Sequence, residues 1–166
     1  MIEISNYQTQ WTAQFLIAAE LTSRGYLANF SLGNARFADI QAETPEGKQF
    51  AVDVKGQKTK GYWRIKGRIH TANQYYILVY VPQSKENKDR LLIKDARYFI
   101  LSAQQVEEEQ ALDYEQANLG RINSGKPTLK PYAAGIHWGP AEKYEDMWQT
   151  LPERAALAGD RDERAA

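Results

Sequence analysis

Four charged side chains in the N-terminal third, Glu20, Asp39, Asp53 and Lys55, have the types and spacing to act on a phosphate. Between the two aspartates lies Thr44-Pro45-Glu46-Gly47, a turn signal, flanked by the alternating segments 37–42 and 49–55. A hairpin centred near Glu46 opposes residues whose numbers add to 92, so Asp39 faces Asp53 with Cβ atoms about 5 Å apart. Strand alternation then places Asp53, Lys55 and Gln57 on one face, and Val52 and Val54 with Ala38, Ile40 and Ala42 on the other, apolar one. Two carboxylates this close repel. The repulsion is relieved by protonation, by a cation such as Lys55, or by a divalent metal that takes both as oxygen ligands. Mg²⁺ or Mn²⁺ so held keeps several waters, lowers the pKa of one of them and neutralises phosphate charge. Lys55 would orient or deprotonate that water. An ordinary solvated Asp53–Lys55 pair has the same sequence pattern and no function.

The elements that must position these groups are legible in outline. Residues 7–24 predict a helix in which Trp11, Phe15, Ala18, Ala19 and Leu21 fall at helical spacing, with Gly25 at the left-handed C-cap position. This helix carries Glu20 toward the strand ends. A strand over 26–32 precedes the hairpin, and a short strand over 62–65 follows it. The run 74–81, Q-Y-Y-I-L-V-Y-V, closed by Pro82, predicts a buried strand at the sheet centre. Further short strands are expected at 91–94 and 97–101, and Ser102 is placed to cap a segment bearing Glu107, Glu108 and Glu109. Residues 119–135 read as a long loop, and 141–151 as a helix burying Tyr144, Met147, Trp148 and Leu151. The expectation is one α/β domain over 1–152, followed by a flexible charged tail over 153–166.

The segments Phe37-Ala38-Asp39-Ile40 and Ala51-Val52-Asp53-Val54-Lys55-Gly56-Gln57 resemble the signature of the PD-(D/E)xK nuclease superfamily, which includes restriction endonucleases and Holliday-junction resolvases. The resemblance covers about residues 7–81 and implies an α-β-β-β-α-β core, a central mixed sheet flanked by helices. By position it implies Glu20, Asp39 and Asp53 as metal ligands, Lys55 as the residue that positions water, and Gln57 as a polar neighbour of the catalytic set. The implied cofactor is Mg²⁺ or Mn²⁺ and the implied activity is phosphodiester hydrolysis, most directly as a DNA endonuclease. Ala38 stands where the name-giving proline would be, and Asp53 where glutamate is more common. Nucleases of this kind often pair two copies to cut two strands, so a homodimer is one expected assembly. The alternative is a nuclease-like DNA-binding or assembly subunit without catalysis.

Charge is uninformative in total and informative locally. The 166 residues hold 21 Lys+Arg and 21 Asp+Glu, which excludes a histone-like, wholly electrostatic binder. Yet residues 48–68 carry seven basic side chains against Asp53 alone, with Tyr62 and Trp63 interleaved. Lys58, Lys60, Arg64, Lys66 and Arg68 are the expected nucleic-acid contacts, and Arg121, Lys126 and Lys130 a second group. The absence of cysteine excludes disulfides, thiolate zinc sites and cysteine nucleophiles. His70 and His137 are too isolated for a zinc centre, and no P-loop or Gly-x-Ser-x-Gly elbow is present. Without an apolar span or signal-peptide pattern, the chain reads as cytoplasmic, with no membrane partner. A protein-interaction role for the Glu107–Glu109 segment is the reading left if nucleic acid does not bind.

Overall fold

The computed structural model describes residues 3–31, 38–65, 72–129 and 135–153. The chain opens with helix α1 (Asn6–Ser23), whose start is set by a reciprocal cap: Ser5 Oγ accepts the Gln8 N–H at 3.2 Å, and Gln8 Oε1 accepts the Ser5 N–H at 2.9 Å. Gly25, at φ +84°, turns the chain out of the helix, a conformation that costs glycine little. Strands β1 (Leu27–Phe30), β2 (Ile40–Glu43) and β3 (Gln49–Gln57) follow as an antiparallel meander. After β4 (Tyr62–Arg64) come β5 (Gln74–Tyr80), β6 (Arg97–Ser102), α2 (Ala103–Asn123), β7 (Gly135–His137) and α3 (Trp138–Glu142).

The main sheet has the order β1-β2-β3-β5-β6, with β3 and β5 its one parallel pair, and β4 and β7 form a separate two-stranded sheet. This is an α/β fold with a mixed central sheet. Each sheet face carries its own core. On one, Ala13, Ile17 and Leu21 of α1 cover Ile40, Ala42, Phe50, Val52, Val54, Ile77 and Val79. On the other, Trp63, Ile136, Val106 and Ala141 cover Tyr76, Leu78, Phe99 and Leu101. Each such side chain, fully buried, stabilises the fold by about 1.5–3 kcal/mol before entropy is set against it.

Several expectations are corrected. Of the apolar residues that mark α1 by their helical spacing, Leu21 is buried while Trp11, Phe15 and Ala19 are exposed; the buried face is Thr9, Ala13, Gln14, Ile17 and Leu21. The cause is close approach: a Cβ at Gly56 would lie 2.6 Å from Ala13 Cβ and 2.9 Å from the Thr9 carbonyl oxygen, so only small residues fit where helix meets sheet. β3, not β5, holds the middle of the sheet. Segment 91–94 makes a single bridge, Gln83 to Leu91, before a 3₁₀ turn at Ile93–Asp95. Residues 119–123 extend α2 instead of opening a loop, because the segment that follows is tied back to the helix. Asn118 Oδ1 accepts the Leu129 N–H, and Arg121 Nε donates to the Pro127 carbonyl.

The helix expected over 141–151 ends at Glu142. Beyond it the open edge of β6 captures the chain: Ile100 N–H donates to the Tyr144 carbonyl, and Asp146 N–H to that of Tyr98. Between β3 and β5 the described residues form β4, the short strand expected at 62–65, and the remainder of the crossover, 66–71, lies outside the described residues. Residues 154–166 of the expected tail lie outside the described residues. Among the described residues no helix is long and apolar enough to cross a membrane.

Candidate metal and phosphate site

The hairpin register is the expected one, with Ile40 opposite Val52 and Ala42 opposite Phe50. β2 begins at Ile40, whereas β3 runs five residues past Val52, so one edge of β3 loses its strand partner while β5 still covers the other. Unpaired backbone groups there would cost stability, and side chains take them up. Val54 N–H donates to Asp39 Oδ2 at 2.8 Å. Gln10 Nε2 donates to the Val54 carbonyl at 2.7 Å, and Gly56 N–H donates to Gln10 Oε1 at 2.8 Å. The Gln10 amide thus stands in for the peptide of the absent strand. The fit needs Gly56, for the reason of close approach given above.

Asp39 is fixed at this fork from several sides. Its Oδ1 accepts from Gln14 Nε2 at 2.7 Å, its N–H donates to the Val52 carbonyl, and its own carbonyl accepts the Ser31 N–H, both at 3.0 Å. Each carboxylate oxygen accepts one of these hydrogen bonds and retains a lone pair for a ligand. Asp53 projects from the opposite sheet face to Val52 and Val54, level with Tyr76 of β5. Its side chain is 19% exposed, and Lys55 forms an ion pair with its Oδ1, off the line of a regular hydrogen bond. Burial holds the Asp53 carboxyl above the usual range against the pull of Lys55, and the nearby Asp39 carboxylate adds to the rise. The structure thus brings Asp39, one residue before β2, close to the Asp53–Lys55 pair, with the Asp39 carboxylate bonded on the α1 side of the sheet.

Gln57 sits level with Tyr80, and its buried Nε2 has no hydrogen-bond partner among the described residues, leaving a donor near the Asp53–Lys55 face. Glu20 is elsewhere. It pairs with Arg24, whose guanidinium lies 3.8 Å from the Trp148 ring centroid, and its charge acts on Tyr98. It lies six residues beyond Gln14, about 240° around the helix, so the two cannot serve one site. The helix offers Gln10 and Gln14 to the fork, not a carboxylate. Among the described residues no three His, Asp or Glu side chains converge as a metal-ligand group.

Two further neighbours escaped the sequence reading. Tyr76, buried in the core beside Asp53, accepts a hydrogen bond from Gln74 Nε2 at 3.0 Å; burial, then the charges of Asp53 and Glu107, push its phenol pKa up, so it stays protonated. Gln14 could have been noticed as a polar residue between Ala13 and Ile17 on the apolar side of α1, where a buried amide needs a partner.

The basic run is dispersed. Lys58 donates to the Ile4 carbonyl and pairs with Glu3, Lys60 lies 4.8 Å from the Trp138 ring centroid, and Arg64 is exposed on β4. Lys48 stands at the far end of β3 from Gln57. Lys66, Arg68, Lys130 and His70 lie outside the described residues. Arg121 belongs to α2, and Lys126 follows it. In comparisons with known proteins, no family model, no curated protein and no solved structure matches the chain.

Two carboxylates, one of them under electrostatic pressure to be neutralised, suit a hard divalent cation that keeps most of its ligands as water. Asp39 and Asp53 would hold it. The sequence has no cysteine, and among the described residues no imidazole stands at the fork.

Proposed function

We propose that the chain is a metal-dependent nuclease of the PD-(D/E)xK kind, hydrolysing phosphodiester bonds in DNA. The observation that carries this reading is the meeting of Asp39 and Asp53, with Lys55 paired to Asp53, where β2 leaves β3. The antiparallel β1-β2-β3 meander under α1, followed by a strand parallel to β3, supports a restriction-endonuclease-like fold. A bound Mg²⁺ or Mn²⁺ would supply charge neutralisation at the phosphate and a water of lowered pKa. Asp39 is held rigid by Gln14 and the Val54 N–H, so it orients without reorganising. Lys55, released from Asp53 when that charge is shared, would hold the attacking water at its ammonium and stabilise the developing negative charge. The Gln57 Nε2 would donate to a phosphate oxygen.

The second reading, a DNA-binding or assembly subunit without catalysis, is favoured by one observation: the helix supplies the amide of Gln14 where a third carboxylate would complete a ligand set. A panel of linear, nicked, branched and single-stranded DNA with Mg²⁺ or Mn²⁺ separates the two. Cleavage stopped by chelator and by Asp53→Ala is the expected result. Binding that survives chelator, with no cutting by the folded wild type under either ion, would select the subunit reading.

A further inference from the structure

The outer flank of α1 leaves large rings in water. Tyr7 is 71% exposed, Trp11 37% and Phe15 57%, spaced one helical turn apart. They form a continuous series: ring centroids lie 6.1 Å apart for Tyr7–Trp11 and 5.7 Å for Trp11–Phe15, and the Phe30 ring of β1 closes on Phe15 at 5.2 Å. Trp11 and Phe15 belong to neither core, so packing does not account for them. Contiguous exposed aromatic surface of this kind marks a contact site.

We propose that this series is a stacking platform for the unpaired bases of a single-stranded DNA segment led to the Asp39–Asp53 fork. The proposal rests on the nuclease reading for its choice of ligand. Position is the first argument. Gln10 and Gln14, which hold the β3 edge and Asp39, alternate along α1 with Trp11 and Phe15, and Ser31, next to Phe30, donates to the Asp39 carbonyl. The platform and the carboxylate fork therefore share one rigid helix and one strand end. Composition is the second argument. The large exposed apolar side chains of this flank are all aromatic, and the neighbouring Gln8 is a neutral, exposed amide suited to base edges. The exposed stripe on α2, Leu112, Leu119 and Ile122, is aliphatic and has no faces on which a base could stack. Charge is the third: α1 carries Glu20 as its single ionisable acid or base, so neither attraction nor repulsion of phosphates competes with stacking.

The test is binding of a fluorescein-labelled single strand of about 16 nucleotides, and of its blunt duplex, to the full chain in chelator, so that cleavage plays no part. Wild type is compared with the double variant Trp11→Ala/Phe15→Ala and with Trp11→Tyr. Single-strand affinity is expected to fall roughly ten- to a hundredfold in the double variant and to be largely restored by the ring in Trp11→Tyr. The loss should persist as salt is raised, while duplex affinity stays within about threefold. Equal single-strand affinity in wild type and the double variant would overturn the platform. So would a wild-type dimer in sedimentation that the double variant dissolves, which would make the flank a protein interface. Ring-dependent binding without cleavage by any metal would sink the nuclease reading and leave the platform standing; cleavage with ring-independent binding would do the reverse.

Discussion

Asp53 is the residue on which electrostatics and chemistry pull in opposite directions. Its raised pKa means that ionisation is less favourable folded than unfolded, so stability falls as pH rises from the unfolded value of 3.8 through the higher folded one, and is flat beyond. Replacement by Asn removes that penalty. Asp53→Asn is therefore expected to raise the Tm of the metal-free protein at neutral pH while abolishing Mg²⁺-dependent cleavage, a gain and a loss readable by calorimetry and gel assay on one sample. A lowered Tm would mean that the Lys55 pairing outweighs the burial and the Asp39 repulsion. The Tm increment given to wild type by Mg²⁺ should grow across the same pH interval, because the cation binds the ionised form. At this scale the strand spacing made it legible that Asp53, Lys55 and Gln57 share one face of β3 and that the hairpin brings Asp39 near them. The sequence did not reveal Gln14, because charge drew attention to Glu20, and the orientation of α1 was set by Gly56 and Ala13 on separate elements.

The β3 edge is the element on which the site depends. Gln10→Ala would leave the Val54 carbonyl and the Gly56 N–H without partners and is expected to destabilise the fold by about 1–3 kcal/mol, measured by urea unfolding. Gly56→Ala forces a methyl against Ala13 and the Thr9 carbonyl and should cost about 1–3 kcal/mol, lifting α1 away from the fork and reducing activity beyond the stability loss. Retained stability in both variants would show that the amide and the glycine are incidental. Strands and their register were readable because hairpin turn and alternation are local signals. The ends of α2 and α3 were not: α2 is closed by side-chain bonds from Asn118 and Arg121 to the irregular segment that follows it, and α3 gives way to the distant free edge of β6.

Across the whole molecule the neutral sum of charges conceals where cations stand relative to the fork. Lys60 and Arg64 lie on the segment that pairs with β7 and packs on the Asp53 side of the sheet, and under the proposed function they are expected to meet the DNA backbone. Neutralising both is expected to weaken DNA binding evenly across sequences and to lower the slope of log affinity against log salt by about 2. An unchanged slope would move the phosphate path elsewhere. The fold class could be read from the order of the elements. The short strand at Tyr62–Arg64 could be read too, but not its partner, because it pairs with Gly135–His137, more than seventy residues later and at the end of a stretch that reads as loop.

The account turns on Asp39 and Asp53 sharing one divalent cation, and the most direct measurement is calorimetric titration of Mn²⁺ into the folded chain and three variants. One ion bound by wild type, lost in Asp39→Asn and in Asp53→Asn and kept in Glu20→Gln, is the predicted result. Binding that persists in Asp53→Asn, or that disappears in Glu20→Gln, would contradict it.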